Sequence, residues 1–404
     1  MTMRKMSVRD LDVRGRKVFV RVDFNVPLKD GGVADDTRIR ASLPTLRLIL
    51  EREGLPIVAS HLGRPKGKAV PGMSLGPVAA HLAKLLGGTV RMADDCVGEG
   101  AARMAGALRA GEALLLENLR FHPEEEANDD GFARRLASLA ELYVNDAFGT
   151  AHRAHASVVG ITLHLETPAS GLLMDAEIQA LTRLRESPDK PYVAVLGGAK
   201  VSDKIDLMLN LIDKVDAILI GGAMAYTFMK ARGVPIGGSR FEADRLDHAE
   251  AILTRGKNSG VRVRLPLDHV VARSPEPGAP SRTTPGPEIE DGLVGLDVGP
   301  QTRAAYAAEI AGARTVFWNG PLGLFEVPPY DEGTAAVARA IAAAPAFTVL
   351  GGGDSIAAVN RLGLAPRFSH LSTGGGASLE FLSGVDLPGV VALADATPDA
   401  GRSR

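Results

Sequence analysis

The chain has one cysteine, one tryptophan and only 4% aromatic residues among its 404. A single thiol cannot form an internal disulfide, so no covalent staple supports the fold and a reducing compartment suits it. Cys96 is expected to pack as a small apolar residue. Neither sign of charge dominates: 46 basic and 48 acidic residues leave a net charge of −2, which counts against a nucleic-acid partner. No uninterrupted run of about 20 apolar residues is present to span a bilayer. Met1-Thr-Met-Arg-Lys-Met-Ser7 carries positive charge but no apolar stretch behind it, so it does not read as a secretory signal. A cytoplasmic protein with no membrane partner is expected. The familiar phosphate loops are also missing. Gly63-Arg-Pro-Lys-Gly-Lys-Ala69 is one residue too short for a Walker A loop and lacks its closing Ser or Thr. No G-x-G-x-x-G follows a strand with an acidic residue about 20 positions on, so a dinucleotide fold is poorly supported.

What the chain does have is glycine at the ends of apolar runs. In the second half, Val193–Leu196 runs into Gly197-Gly198-Ala-Lys200, Ala217–Ile220 into Gly221-Gly222, Thr348–Leu350 into Gly351-Gly-Gly-Asp354, and Leu371–Thr373 into Gly374-Gly-Gly-Ala-Ser378. Short continuous apolar runs read as buried parallel strands, and open α/β sheets bind ligands at the carboxyl ends of such strands. Glycine turns uncover backbone N–H groups, which favour phosphate, above all in front of a helix. Lys200 and Lys204 suit phosphate oxygens. Asp354 suits the magnesium ion that travels with a nucleotide. Any one glycine turn is common in α/β proteins; the case for a nucleotide site rests on four turns, two lysines and an aspartate together.

The first half carries side-chain charge instead. Val18–Val26 reads as an alternating strand stopped by Pro27. Further strands end in Ser60-His61-Leu-Gly-Arg64-Pro65, in Glu117-Asn-Leu-Arg120-Phe121 and in Asn145-Asp-Ala-Phe-Gly-Thr-Ala-His152-Arg153, and Arg38 lies in or near a loop. Guanidinium forks grip carboxylate and phosphate bidentately. One strand-end arginine is more often solvated or paired with a neighbour, but recurrence at four or five strand ends favours a small anion bearing both groups.

Eight segments in order, covering about residues 5 to 395, resemble the signature blocks of the phosphoglycerate kinase family. They are Arg21–Pro27, Ser60–Pro65, Glu117–Phe121, Asn145–His155, Gly197–Lys204, Trp318–Glu326, Gly351–Asp354 and Ser372–Ser378. The resemblance implies an α/β fold of two similar-sized domains, each a parallel sheet flanked by helices, with a hinged interdomain cleft. It implies the reaction 1,3-bisphosphoglycerate + ADP ⇌ 3-phosphoglycerate + ATP, with Mg, in a glycolytic monomer. Matching positions assign Asp23, Asn25, Arg38, His61, Leu62, Gly63, Arg64, Arg120 and Arg153 to phosphoglycerate. Lys204, Gly295, Glu326, Gly352, Gly353, Asp354 and Ser355 are assigned to ATP or ADP, with Asp354 as the magnesium anchor. Arg38, Lys200 and the glycine turn at Gly375 are expected to act on the phosphoryl group in flight. Three departures stand out: Ser355 replaces the usual Thr, Ala223 replaces a third glycine after Gly221-Gly222, and the tail runs past the family's usual end.

Strands alternate with helical stretches such as 75–86, 101–110 and 131–142, the βαβ rhythm of parallel sheets. Apolar residues at 178, 181 and 184 share one helical face and mark a connecting helix. The expected plan is a phosphoglycerate-binding domain at 1–174 joined by 386–404, an interdomain helix at 175–187, and a nucleotide-binding domain at 188–385. Pro388–Leu393 is expected to be the returning strand, 394–404 a frayed end, and 273–291 a surface loop. The spacing His152-x-x-His155 could suit a metal but lacks further ligands. Trp318 is expected to pack beside a strand end, and Glu124-Glu-Glu126 to form a solvated acidic turn. The alternatives are another α/β nucleotide-dependent enzyme, opposed by the missing dinucleotide fingerprint, and a non-catalytic metabolite-binding relative. The second would be expected to lack Arg38, Lys200 or Asp354, and all three are present.

Overall fold

A computed structural model describes residues 4–396 of the chain. The chain divides into two compact units, Met1–Gln179 with Asp386–Arg404, and Ala180–Val385. The division falls inside the helix Leu172–Glu186.

The first unit holds a six-stranded parallel sheet. Its strands are β1 (Lys17–Arg21), β2 (Leu55–Ala59), β3 (Thr89–Met92), β4 (Glu112–Leu115), β5 (Leu142–Asn145) and β6 (Ala169–Ser170). Their spatial order is β3-β4-β2-β1-β5-β6. β1 lies between β2 and β5 and is parallel to both. This corrects the reading of Val18–Val26 as an alternating strand: Val18, Phe19, Val20 and Arg21 are all buried, because a central parallel strand is covered on both faces. Phe19 stacks on Tyr143 of the neighbouring strand. On the other face Val18, Val20, Leu46, Ile49 and Leu82 share one core with the covering helices.

The second unit has its own six-stranded parallel sheet, with β7 (Tyr192–Leu196), β8 (Ala217–Ile220) and β9 (Arg262–Arg264) on one side. A three-stranded antiparallel sheet follows: β10 (His269–Ala272), β11 (Ser281–Thr283) and β12 (Val294–Val298). The main sheet is completed by β13 (Thr315–Asn319), β14 (Phe347–Gly351) and β15 (His370–Ser372), in the order β9-β8-β7-β13-β14-β15. Trp318 lies within β13, fully buried, and its Nε1 donates to the Gly320 carbonyl at 2.8 Å.

Several expected segments differ. Pro388–Leu393 is not a strand; Pro388–Val391 is a short helix begun by its proline. Gly389 packs against Ala151, whose carbonyl accepts its N–H at 2.8 Å. Residues 394–396 are tied down rather than frayed: Ala394 N–H bonds Pro168, Ala396 N–H bonds Arg4, and Lys5 pairs with Asp395. Positions 397–404 lie outside the described residues. The stretch 273–291 includes β11 and a buried Ile289. The helices at 101–110 and 131–142 end earlier, at Gly106 and Ala137. In the second case Leu142 is already committed to pairing with Val18.

Candidate functional sites, one in each unit

The carboxyl ends of β1, β2, β4 and β5 carry the charged residues of the first unit. Asp23 lies two residues beyond β1. Arg38, in the first turn of the helix Thr37–Glu51, donates from Nη1 to Asp23 Oδ2 at 3.0 Å and to the Asn25 carbonyl at 3.2 Å. Asn25 Oδ1 accepts the Gly63 N–H at 2.9 Å. Arg120 donates to the Gly63 carbonyl at 3.0 Å and pairs with Glu126 at 3.1 Å. Buried Leu62 is clamped by Asn118, whose amide bonds both its N–H and its carbonyl. Arg153 donates to His152 Nε2 at 3.2 Å. Arg64 is exposed and, among the described residues, makes no side-chain hydrogen bond or ion pair.

The two buried imidazoles respond first to burial and then to the arginines gathered here. Burial, then Arg21, Arg120 and Arg38, hold His61 well below the usual histidine range. Burial, then Arg120, Arg21 and Arg153, push His155 down to about 3. Both rings are therefore neutral at pH 7, with four arginines, Arg21, Arg38, Arg120 and Arg153, close enough to disfavour their charged forms.

Behind this surface lies a network missing from the sequence reading. Arg21, the last residue of β1, is fully buried. It donates from Nε to Ser157 Oγ at 2.9 Å, and its Nη2 lies 3.3 Å from His61 Nδ1. Ser157 in turn donates from Oγ and N to the two Glu125 oxygens at 2.6 and 2.9 Å. Glu125 is fully buried while Glu126 stays exposed, so the expected solvated turn at 124–126 fails at its middle residue. Its neighbours are Arg21 and the Ser157 hydroxyl rather than water. The signal for Arg21 was available, since an arginine inside an apolar strand is rarely buried without partners. Nothing local marks Ser157.

In the second unit, the turns after β7 and β8 and the segment 320–326 border a cleft of about 600 Å³. Gly198, Gly222, Tyr226, Gly295, Glu326 and Asp354 are among its lining residues. Gly222 has φ 68°, and a Cβ there would come within 2.6 Å of the Gly198 backbone, so the two turns close together only as glycine. A Cβ on Gly295 would run into the Tyr226 hydroxyl. Ala223, beside Gly222, also lines the cleft.

Lys204 is nearly buried just before the helix Ile205–Leu211. Burial lowers the pKa of its ammonium, opposed by Asp203 and Asp354. Lys200 is exposed on the same turn. That turn is pinned by Glu242, which accepts from Val201 N at 2.5 Å, Ser202 N at 3.0 Å and Ser202 Oγ at 2.6 Å. No sequence signal singles out Glu242.

Gly353 opens the helix Gly353–Arg361, with Gly352 as its cap and Asp354 in its first turn. Asp354 and Glu326 are exposed. Ser355 points away from solvent, fully buried, and its Oγ accepts the Gly320 N–H at 2.8 Å. Gly375 caps the seven-residue helix Gly376–Leu382 and is not among the cleft lining.

Comparison with known proteins decides the family. A family model described as phosphoglycerate kinase matches residues 8–385. The chain belongs to the phosphoglycerate kinase family. It is 54% identical over 389 residues to the phosphoglycerate kinase of Anaeromyxobacter dehalogenans, covering 96% of this chain and 98% of that protein. It is 52% identical over 393 residues to that of Moorella thermoacetica, covering 97% and 100%. The solved phosphoglycerate kinase of Coxiella burnetii superposes with a TM-score of 0.87 at 39% identity, over 96% of this chain and 98% of that one. The phosphoglycerate kinase of Pyrococcus horikoshii gives a TM-score of 0.85 at 34% identity, with the same coverage. The strand-end arginines and the glycine turns thus belong to one phosphotransferase family.

Proposed function

We infer that this chain catalyses the reversible transfer of the acyl phosphate of 1,3-bisphosphoglycerate to Mg·ADP, giving 3-phosphoglycerate and ATP. The observation that carries the reading is the gathering of Arg21, Arg38, Arg120 and Arg153 around two neutral histidines. Such a site suits an anion with both carboxylate and phosphate. The first unit would hold phosphoglycerate through Asp23, Asn25, Arg38, His61, Arg120 and Arg153, with Arg64 free to reach its remote phosphate. The second would hold the nucleotide, with Gly295 beside the base, Glu326 at the ribose and Lys204 at the phosphates. Gly352 and Gly353 would supply backbone N–H groups to phosphate at the helix start. Ser355 is better placed to brace Gly320 than to touch a ligand, because its side chain is fully buried and its Oγ accepts the Gly320 N–H.

Magnesium would arrive with the nucleotide, and Asp354 fits it: an exposed carboxylate on the cleft wall, with the Lys204 charge nearby. Bound there, the ion neutralises phosphate charge. The attacking group is an ionised ADP phosphate oxygen, and in reverse the substrate carboxylate. It bonds to phosphorus as the bond to the leaving oxygen breaks. Neither direction transfers a proton, so no general base is needed. The chain's part is alignment and charge neutralisation. We assign the latter to Arg38 and Lys200, assisted by the turn at Gly375. Because these residues belong to different units, catalysis would depend on their closing on the substrate, which would also exclude water. We place the reaction in the cytoplasm, in a monomer.

A coupled assay of ATP formation from 1,3-bisphosphoglycerate, ADP and Mg²⁺ tests the reading; purified, folded protein without turnover refutes it. Light scattering tests the monomer.

A further inference from the structure

We propose that Asp95, Cys96 and His122, in the first unit, form a binding site for a divalent d-block cation of the zinc type. One donor atom from each of the three lies within 4.8 Å of the others. Asp95 and Cys96 sit in the turn after β3, and His122 directly follows the turn Leu119–Phe121 beyond β4. Cys96 is fully buried and would form the floor of the site. The Asp95 side chain is 49% exposed and that of His122 25%, which leaves the outer side open to an ion and to one water.

The imidazole is already held in place. Its ring stacks on Phe132 with centroids 5.2 Å apart, and Nε2 lies 2.7 Å from Asp95 Oδ1. With metal–sulfur bonds of about 2.3 Å and metal–nitrogen or metal–oxygen bonds of about 2.0–2.2 Å, tetrahedral donors lie roughly 3.3–3.7 Å apart. An ion therefore requires the carboxylate to withdraw from the imidazole by under about 1 Å, and donors as far apart as 4.8 Å to close by about 1 Å. One sulfur, one nitrogen and one oxygen select zinc or a neighbouring d-block ion over magnesium or calcium, which take oxygen sets. Binding would release the Cys96 thiol proton to solvent. Three protein ligands and a water complete four-coordination. None of these residues is used by the phosphotransferase reading, so the two stand or fall separately.

The test uses the full chain, stripped with chelator, titrated with Zn²⁺ by calorimetry and with Co²⁺ by absorption. One ion per chain is expected, with a cobalt spectrum showing tetrahedral bands and a sulfur-to-metal charge-transfer band. Cys96→Ser should abolish that band. It should also weaken Zn²⁺ binding by about tenfold or more, at least the effect of losing an outer partner of a metal site. Asp95→Asn, on a half-exposed side chain where folding is not at stake, should weaken it similarly, and melting curves check that both variants fold. Zn²⁺ affinity unchanged in the two folded variants, or cobalt bound without a sulfur band, would indicate adventitious surface carboxylates and overturn the proposal.

Discussion

The candidate sites of the two units are built from different parts of the polypeptide. In the first, the positive charge is on side chains, and a buried network holds them: Glu125 to Ser157, Ser157 to Arg21, Arg21 to His61. In the second, the cleft is shaped by backbone, with glycine turns that touch where a side chain would not fit, and few charges line it. Guanidinium groups need orientation, so the first unit places polar partners in its interior, where each must be satisfied. Backbone N–H groups are oriented by the fold itself, so the second unit needs only the absence of Cβ atoms. One site is therefore vulnerable to lost partners and the other to added bulk.

The largest effect should come from the residue assigned to the transferring group. Arg38→Ala is expected to lower kcat by about 10³-fold or more, with a far smaller rise in substrate Kd. Arg38→Lys should restore only part of it, since a point charge lacks the planar fork. A lowered melting temperature with near-normal turnover below it would instead make Arg38 structural.

Added bulk should break the second site selectively. Gly295→Ala sets a methyl against the Tyr226 hydroxyl. Overpacking costs about 1–3 kcal/mol, equivalent to roughly 5- to 150-fold in ADP affinity if it falls on binding. Calorimetry should find 3-phosphoglycerate affinity unchanged. Equal losses for both ligands would dissolve the contrast between the units.

A lost partner should break the first site in the complementary way. Ser157→Ala removes the link between Arg21 and Glu125 and leaves buried polar groups unpaired, a cost of about 1–3 kcal/mol. Because Arg21 contacts His61, 3-phosphoglycerate KM should rise while ADP Kd holds. Thr at this position, which keeps the hydroxyl, should recover most of the affinity. A loss of stability alone, with KM unmoved, would separate the network from binding.

The smallest effect concerns the scaffold of the first unit. Asp146 is fully buried beyond β5, where its Oδ1 accepts the N–H groups of Leu173 and Met174 at 3.0 and 3.2 Å. Burial pushes its pKa up to about 7 from the ordinary 3.8. A raised carboxyl pKa favours folding fully at low pH, and that contribution is lost as pH rises from about 4 through about 7. Asp146→Asn should therefore flatten the fall in melting temperature across that window by a few degrees. An unchanged slope would mean that other groups dominate it.

Sequence patterns located the central strands of the second unit well because burial on two faces demands continuous apolar runs, whereas the first strand, read to Val26, ends at Arg21. Val193–Leu196 and Ala217–Ile220 fall within β7 and on β8 for that reason. The same logic erred where a short apolar run had no neighbour to pair with. Pro388–Leu393 became a helical turn, because its proline starts a helix readily and Gly389 docks on Ala151. Side-chain partners separated by many residues were the least legible. Glu125 reads as the middle of a charged triplet, and only the approach of Ser157 and Arg21 makes it an interior residue. Lys204 and Asp354 are far apart in the chain, yet their charges interact.

The sequence by itself determined the alternation of strand and helix, the glycine turns, the set of charged residues at strand ends and the phosphoglycerate kinase blocks. These are local properties, set by periodicity and by the backbone freedom of single residues. Tertiary structure alone decided which charges are buried: Arg21 and Glu125 inside, Arg64 and Lys200 outside. It also decided that Ser355 braces a turn and that Cys96 lies within reach of His122. Burial and electrostatic environment depend on segments distant in the chain, and no window of sequence contains them.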